Sequence, residues 1–254
     1  MNKPRTDIEN FDLYNVRIMA RLLELEGVVD EEVAELLNKL KWEHYSLLSK
    51  ISVLEEKVNI DIKTGLFIYR DDYLEQVIKT ASRTLEGNNK KNFEISYIRI
   101  DIDDFSIFNN KYGHDIGDVV LKNVSTAIKK LSRPTDYIIR FGGEEIDILL
   151  PNTGRKGALT YLDKLFAAIS RVGVEHKDEF LKVTVSGGVT STNIPLIKLK
   201  SLSAEKIKKR YLKMQQEVDN ALYEAKYQGK NCFRVYHDNK KNKYADIRKK
   251  YTNQ

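Results

Sequence analysis

The chain is poor in residues that cross-link, bind soft metals or enter membranes. Of its 254 residues only Cys232 is a cysteine. A lone thiol cannot close an internal disulfide, which points to a reducing compartment. Four histidines without metal-like spacing argue against a zinc site. No apolar run approaches the roughly 20 residues that span a bilayer, and the opening MNKPRTDIENF does not read as a signal peptide. The expectation is no membrane insertion and a cytoplasmic location. Repeats and low-complexity stretches are missing too. Disorder is excluded by what is present: 14 Tyr, 9 Phe, a 41% hydrophobic fraction and regular apolar patterning. The length suits one full domain plus an appendage.

The net charge of +6 is uneven. Residues 1–60 hold 8 Lys/Arg and 12 Asp/Glu, a balance of −4 that leaves +10 on residues 61–254. Residues 238–254 carry 6 basic and 2 acidic residues and read as a solvated basic tail. A pI near 9.1 permits nucleic-acid binding, and equally a polyanionic small ligand such as a nucleoside triphosphate.

Residues 1–60 read as an N-terminal helical region for signalling or dimerisation. Leu13, Val16, Met19, Leu22 and Leu23 recur at helical steps, Gly27 breaks the pattern, and Asp30 can cap a second helix with Glu31 and Glu32 in its first turn. There Leu40, Leu47 and Leu54 stand seven apart, with Ile51 and Val58 in the alternate seam. A short coiled coil and a helical pair packed on its own chain both fit. From Asp61 onward strands and helices alternate. Helices are expected at 73–85, 119–131, 157–171 and 203–227, and strands at 93–103, 137–141, 146–150, 181–189 and 232–236. The fold class is α+β, with helices flanking a mainly antiparallel central sheet over residues 61–237.

Two acidic clusters stand at the ends of apolar strands. Asp101-Ile102-Asp103-Asp104 closes the first, placing Asp101 and Asp103 on one face. Glu144-Glu145 follows Gly142-Gly143 at a hairpin tip. Should those strands be neighbours, carboxylates converge at one sheet end, where hard oxygen ligands suit Mg2+ or Mn2+. Without that pairing, a Glu pair at a turn is merely solvated. Between the clusters runs Phe105-Ser106 through Asn109, Gly113-His114 and Gly117-Asp118, rich in glycine and amides. Turn and helix-start N–H groups there could bind phosphate, Asn109 offers donors and acceptors, and Asp118 could accept paired donors such as those of guanine; His114 and Asp118 as helix caps is the plainer alternative.

These segments, with Arg140-Phe-Gly-Gly-Glu-Glu145, Val183-Thr-Val-Ser186, Asp219-Asn-Ala-Leu-Tyr-Glu-Ala-Lys226, Gly229-Lys-Asn231 and the leading Asp61-Ile-Lys-Thr64-Gly65-Leu66, resemble the GGDEF domain of diguanylate cyclases. The resemblance covers about residues 61–236. It implies a palm-like nucleotidyl-cyclase fold and condensation of two GTP into cyclic di-GMP plus two pyrophosphates. Two facing domains would react, hence a homodimer with no DNA or RNA partner. It implies two Mg2+ or Mn2+ ions per site held by Asp101, the Ile102 carbonyl, Glu144 and Glu145, with Glu144 and Glu145 catalytic. Asn109 and Asp118 would read guanine, and Phe105, Ser106, Gly142, Gly143, Lys226 and Lys230 would complete the substrate site. Arg133-Pro-Thr-Asp136 sits where the family's product-inhibition RxxD site lies, with Lys164 in the place of a partner arginine; a surface turn with a local ion pair is the other reading. Ser106 stands where the family usually has lysine, Ile146 where it has phenylalanine, and Lys230 where arginine is common. The Ser106 departure keeps a second function in view, a weakly catalytic domain that senses cyclic di-GMP or GTP. A third has residues 1–60 as the working part of an interaction protein.

Overall fold

The computed structural model describes residues 59–84, 92–199 and 201–252, and in the N-terminal stretch residues 35–36, 38–40, 42–47 and 49–50. Two compact units result, residues 1–59 and 60–254. In the first, the described residues from 35 to 50 are helical, and Leu36, Leu40, Trp42, Tyr45 and Leu47 are exposed. The expected helix at Leu13–Leu23, the Asp30 cap, and Ile51, Leu54 and Val58 lie outside the described residues.

In the second unit the elements run β1 (Phe67–Ile68), α1 (Tyr73–Thr84), β2 (Asn92–Ile102), α2 (Phe105–Tyr112), α3 (His114–Leu131), β3 (Tyr137–Gly142), β4 (Glu145–Pro151) and α4 (Arg155–Ile169). They continue with β5 (Gly173–His176), β6 (Glu179–Lys182), β7 (Val185–Pro195), α5 (Leu196–Leu199), α6 (Ala204–Tyr227), β8 (Phe233–Val235), a 3-10 turn at Asp238–Lys240 and α7 (Lys241–Thr252). The six-stranded sheet has the order β1-β3-β4-β2-β7-β8, and β5-β6 form a separate ribbon. β3–β4, β4–β2 and β2–β7 pair antiparallel, while the outer β1–β3 and β7–β8 pairs are parallel. The main sheet is thus mixed, with an antiparallel centre.

Period-two alternation sorts β2 between two cores. Ile98, Ile100 and Ile102 face a layer built on Val120, Val124 and Ile128 of α3 and Leu162 and Leu165 of α4. Phe93, Ile95 and Tyr97 face Leu74 and Val77 of α1 and Tyr211, Met214 and Val218 of α6. α6 begins at Ser203, whose hydroxyl accepts from the Lys206 amide, and carries Glu205 in its first turn, both favourable at a helix start.

The structure corrects two local expectations. The apolar run 181–189 is not one strand: Val183–Thr184 breaks it, with β6 pairing to β5 and β7 crossing to the main sheet. Residues 238–252 are not a solvated tail. They form a turn and a helix that bury Tyr244 and Ile247, and Lys243 reaches Glu224 of α6 at 2.7 Å. Two apolar side chains three apart suffice to dock a basic helix whose lysines still meet water.

Candidate functional site

Strand register brings the two acidic clusters together. Asp101 lies opposite Glu145 across β2–β4 and opposite Ser186 across β2–β7. Burial pushes the Asp101 carboxyl above its usual range, Lys226 offsets this, and the nearby Glu144 and Asp103 charges raise it further. The Lys226 ammonium lies 2.8 Å from Asp101. Glu145 is likewise raised, first by burial; Arg99 opposes this, and Asp101, Asp147 and Asp219 add to it. Asp103, on the same strand end, has another task. It accepts from Thr184 (2.7 Å), Ser186 (2.6 Å) and the Asn231 amide (3.0 Å), tying β2 to β7 and to the loop after α6.

The hairpin turn is held from below. Arg140 donates to the Gly143 carbonyl at 3.0 and 2.9 Å and reaches Asp61 at 2.9 Å, while Asp61 also accepts from the Thr64 amide and hydroxyl. Beyond the adjoining residues, no described atom lies within 4 Å of where a side chain would begin at Gly142 or Gly143, so a ligand can lie directly over this turn.

A cavity of about 290 Å³ opens beside it. Phe105, Ser106, Asn109, Asp118, Gly143 and Glu144 are on its wall, joined by Asn110, His114, Leu121 and Arg140. Asn109 Oδ1 is buried there without a hydrogen-bond partner, the kind of acceptor a ligand donor would satisfy. Gly117 makes room for it. A β-carbon at Gly117 would stand 1.8 Å from Asn109 Oδ1. Alanine in a helix interior normally stabilises by about 0.5–1 kcal/mol over glycine, so Gly117→Ala is expected to leave the melting temperature unchanged or higher. It should displace Asn109 and weaken any ligand that donates to its Oδ1 about tenfold, the worth of one hydrogen bond to a buried acceptor; calorimetry beside a thermal melt reads both.

Asp118 is engaged by Lys63 of the leading turn at 2.6 Å. Lys230 pairs with Asp104 at 2.6 Å, at the same end of the sheet. The hard carboxylate and carbonyl oxygens of Asp101, Ile102, Glu144 and Glu145 suit a divalent cation, and the like charges around Asp101 call for one. Among the described residues no three His, Cys, Asp or Glu side chains form a ready metal cage.

The RxxD segment folds as a tight turn. The Arg133 amide donates to Asp136 Oδ2 at 2.7 Å, while Asp136 Oδ1 is buried without a partner and burial raises this carboxyl. Arg133 and Asp136 share the wall of a cavity of about 380 Å³; Lys164 is exposed on α4 and not on that wall.

The residue reading missed Arg99 and Asp147. Both are buried, paired at 2.6 Å across β2–β4, with Arg99 reaching Asp219 at 2.6 Å and its guanidinium 3.5 Å from the Phe141 ring centre. Tyr97 donates its hydroxyl to Asp147. An arginine and an aspartate inside two apolar strands were the available signal, because neither is buried alone.

The family described as "Diguanylate cyclase, GGDEF domain" matches residues 58–232. Diguanylate cyclase A of Treponema denticola is 31% identical over 180 residues, 71% of this chain and 45% of that protein. The response regulator PleD of Caulobacter vibrioides is 32% identical over 166 residues, 65% of this chain and 32% of its own length. The chain thus spans less than half of either relative. Among solved structures, SiaD of Pseudomonas aeruginosa, a diguanylate cyclase in complex with its activator SiaC, is 26% identical with a TM-score of 0.59, covering 91% of this chain and 78% of that one. The coiled coil and GGDEF domain of DgcB from Caulobacter crescentus, in complex with c-di-GMP, shares the fold at 22% identity and a TM-score of 0.59, covering 81% of this chain and 99% of that one. The chain has no helix among the described residues long and apolar enough to cross a membrane. With the family match running over more than two thirds of its residues and through both acidic strand ends, the chain belongs to the GGDEF-domain family.

Proposed function

We propose that the chain is a diguanylate cyclase, condensing two GTP into cyclic di-GMP and two pyrophosphates. The observation that carries this reading is the cavity beside Gly143, which has the unpartnered Asn109 oxygen and Asp118 on one wall and Glu144 on another. Asp118 accepts two donors at once, as guanine N1–H and its exocyclic amine present, whereas adenine offers an acceptor at N1. Each 3′-hydroxyl oxygen bonds to the α-phosphorus of the other GTP as the bond from that phosphorus to the bridging α–β oxygen breaks, and pyrophosphate leaves with the electron pair. Glu145 is the proposed acceptor of the hydroxyl proton, standing opposite Asp101 at the strand end where the two acidic clusters meet. Two Mg2+ or Mn2+ ions, held through Asp101, the Ile102 carbonyl, Glu144 and Glu145, would neutralise the triphosphate and acidify the attacking hydroxyl. Lys226, now the counter-charge of Asp101, and Lys230 would turn to phosphate oxygens. Phe105, Ser106 and the open Gly142-Gly143 turn complete the site.

Two sites must meet, which a symmetric homodimer provides. The exposed Leu40 and Leu47 of the N-terminal helix support this reading. Arg133 and Asp136 form the proposed product-inhibition site, with Lys164 of α4 as its proposed partner cation, and GTP as substrate favours the cytoplasm. The test is incubation with GTP and Mg2+ or Mn2+, then product chromatography, with EDTA abolishing turnover. Tight cyclic di-GMP binding without turnover would support the second reading, a sensor domain. One observation favours it: Ser106 leaves Arg140, held by Asp61 and Gly143, as the sole Lys or Arg on the cavity wall among the described residues.

Lys63 competes with guanine for Asp118. The pair is largely exposed, so its removal is worth little. Lys63→Ala is expected to tighten GTP binding up to about fivefold, which titration at fixed Mg2+ reads directly.

A further inference from the structure

We propose that the concave face between α6, the outer edge of β7 and the turn after β8 is a second anion site, taking a small molecule with two or more phosphate groups. The cavity there measures about 940 Å³ and shares no wall residue with the one beside Gly143. β8 pairs with β7 only over Gly187–Val189, so beyond Val189 the β7 edge is not covered by a strand, and Thr190 and Thr192 set their hydroxyls against α6 on the cavity wall, while the Ser191 hydroxyl bonds Ser96. α6 runs over this edge. It sets Lys209 and Arg210 three and four residues after Lys206 and four and three before Lys213, spacings at which like charges on a helix repel. Arg155, the first residue of α4, stands on the cavity wall with them.

Five cationic side chains thus meet two acids, Glu217 and Asp238, which are already engaged. Glu217 accepts from Thr190 at 2.6 Å and lies 3.5 Å from Lys213; Asp238 lies 3.1 Å from Lys241. Among the described residues, Arg155, Lys206, Lys209 and Arg210 form no ion pair with a carboxylate. Arg210 donates to the Thr192 hydroxyl at 2.7 Å, and Arg155 meets His237 Nε2 at 3.3 Å. Burial, Arg155 and Lys240 hold the His237 imidazolium pKa below its usual value, so the ring stays neutral and can accept from Arg155. Two arginines present planar forks matched to phosphate, and the lysines add point charges. Because the cations line a hollow, a compact polyanion fits better than an extended one. Inorganic polyphosphate and a nucleoside polyphosphate share the required chemistry.

The test is calorimetry on the full chain in EDTA, which silences a metal-dependent triphosphate site, with inorganic tripolyphosphate and separately with adenosine triphosphate. Adenine keeps the proposed guanine pocket out of the measurement, so this result stands apart from the cyclase reading. The expected result is binding that Arg155→Ala/Arg210→Ala weakens at least tenfold and Lys206→Ala/Lys209→Ala about fivefold, as lost charge-assisted contacts require. The lysine variant alters only exposed side chains, so its fold is not in question. Equal affinity for the two probes assigns recognition to the phosphates; tighter adenosine triphosphate binding assigns it to a nucleotide. Either supports the site. No heat at millimolar probe, or affinities untouched in both variants, would overturn it, as would an RNA oligonucleotide or acidic peptide binding more tightly through the same side chains.

Discussion

Asp147→Ala is expected to destabilise the fold by about 3–5 kcal/mol, the cost of leaving a buried partner charge uncompensated. Asp147 and Arg99 are 0% and 3% exposed at their side chains, so water cannot replace the lost carboxylate. For a unit of this size the melting temperature should fall by roughly 6–20 °C. Asp219 remains as a second partner of Arg99, but its side chain is 31% exposed and screened. The charges themselves are not expected to be the source of stability. Desolvating them offsets most of their attraction, so an apolar replacement of similar volume can be neutral or better. Tyr97→Phe/Arg99→Leu/Asp147→Leu, which also removes the hydroxyl that would lose its acceptor, is therefore expected to recover most of the melting temperature. A triple variant as unstable as Asp147→Ala would refute this account.

Glu145→Gln is the second large effect. Production of cyclic di-GMP is expected to fall at least 10²–10³-fold, or about 2.7–4 kcal/mol of barrier, the usual cost of deleting one group aligned with a developing charge. GTP affinity should fall far less than turnover, because Asn109 and Asp118 on α2 and α3 still hold the base when one proposed metal ligand is lost. Burial already disfavours the charged form of Glu145, so the neutral glutamine should melt at the same or a higher temperature. Chromatography, nucleotide titration and a thermal melt separate the three statements. Unchanged product formation would remove Glu145 from the reaction.

The reach of local pattern is visible element by element. β2 alternates and is β-branched, and β3 and β4 flank a glycine turn, so both are readable from neighbours alone. The β5–β6 ribbon is not. Its turn places Lys177 and Asp178 at φ of 48° and 65°, a left-handed pair usually announced by Asn-Gly. The break at Val183–Thr184 was hidden because a continuous apolar run looks the same whether one strand or two sheets use it. The docked α7 was masked by its own lysines.

Spacing and short-range periodicity by themselves determined β2, β3, β4 and the longer helices, and the two acid-bearing strand ends with the amide-rich loop between them; the family resemblance came from the motifs those segments carry. Those signals are carried by residues close in sequence. Only the folded chain decided that Asp101 faces Glu145, that Lys226 and Lys63 occupy the very carboxylates a nucleotide would need, and that Arg99 finds Asp147 48 positions away. Such partners depend on sheet order and register, and a one-residue slip would send every one of those side chains to the opposite face.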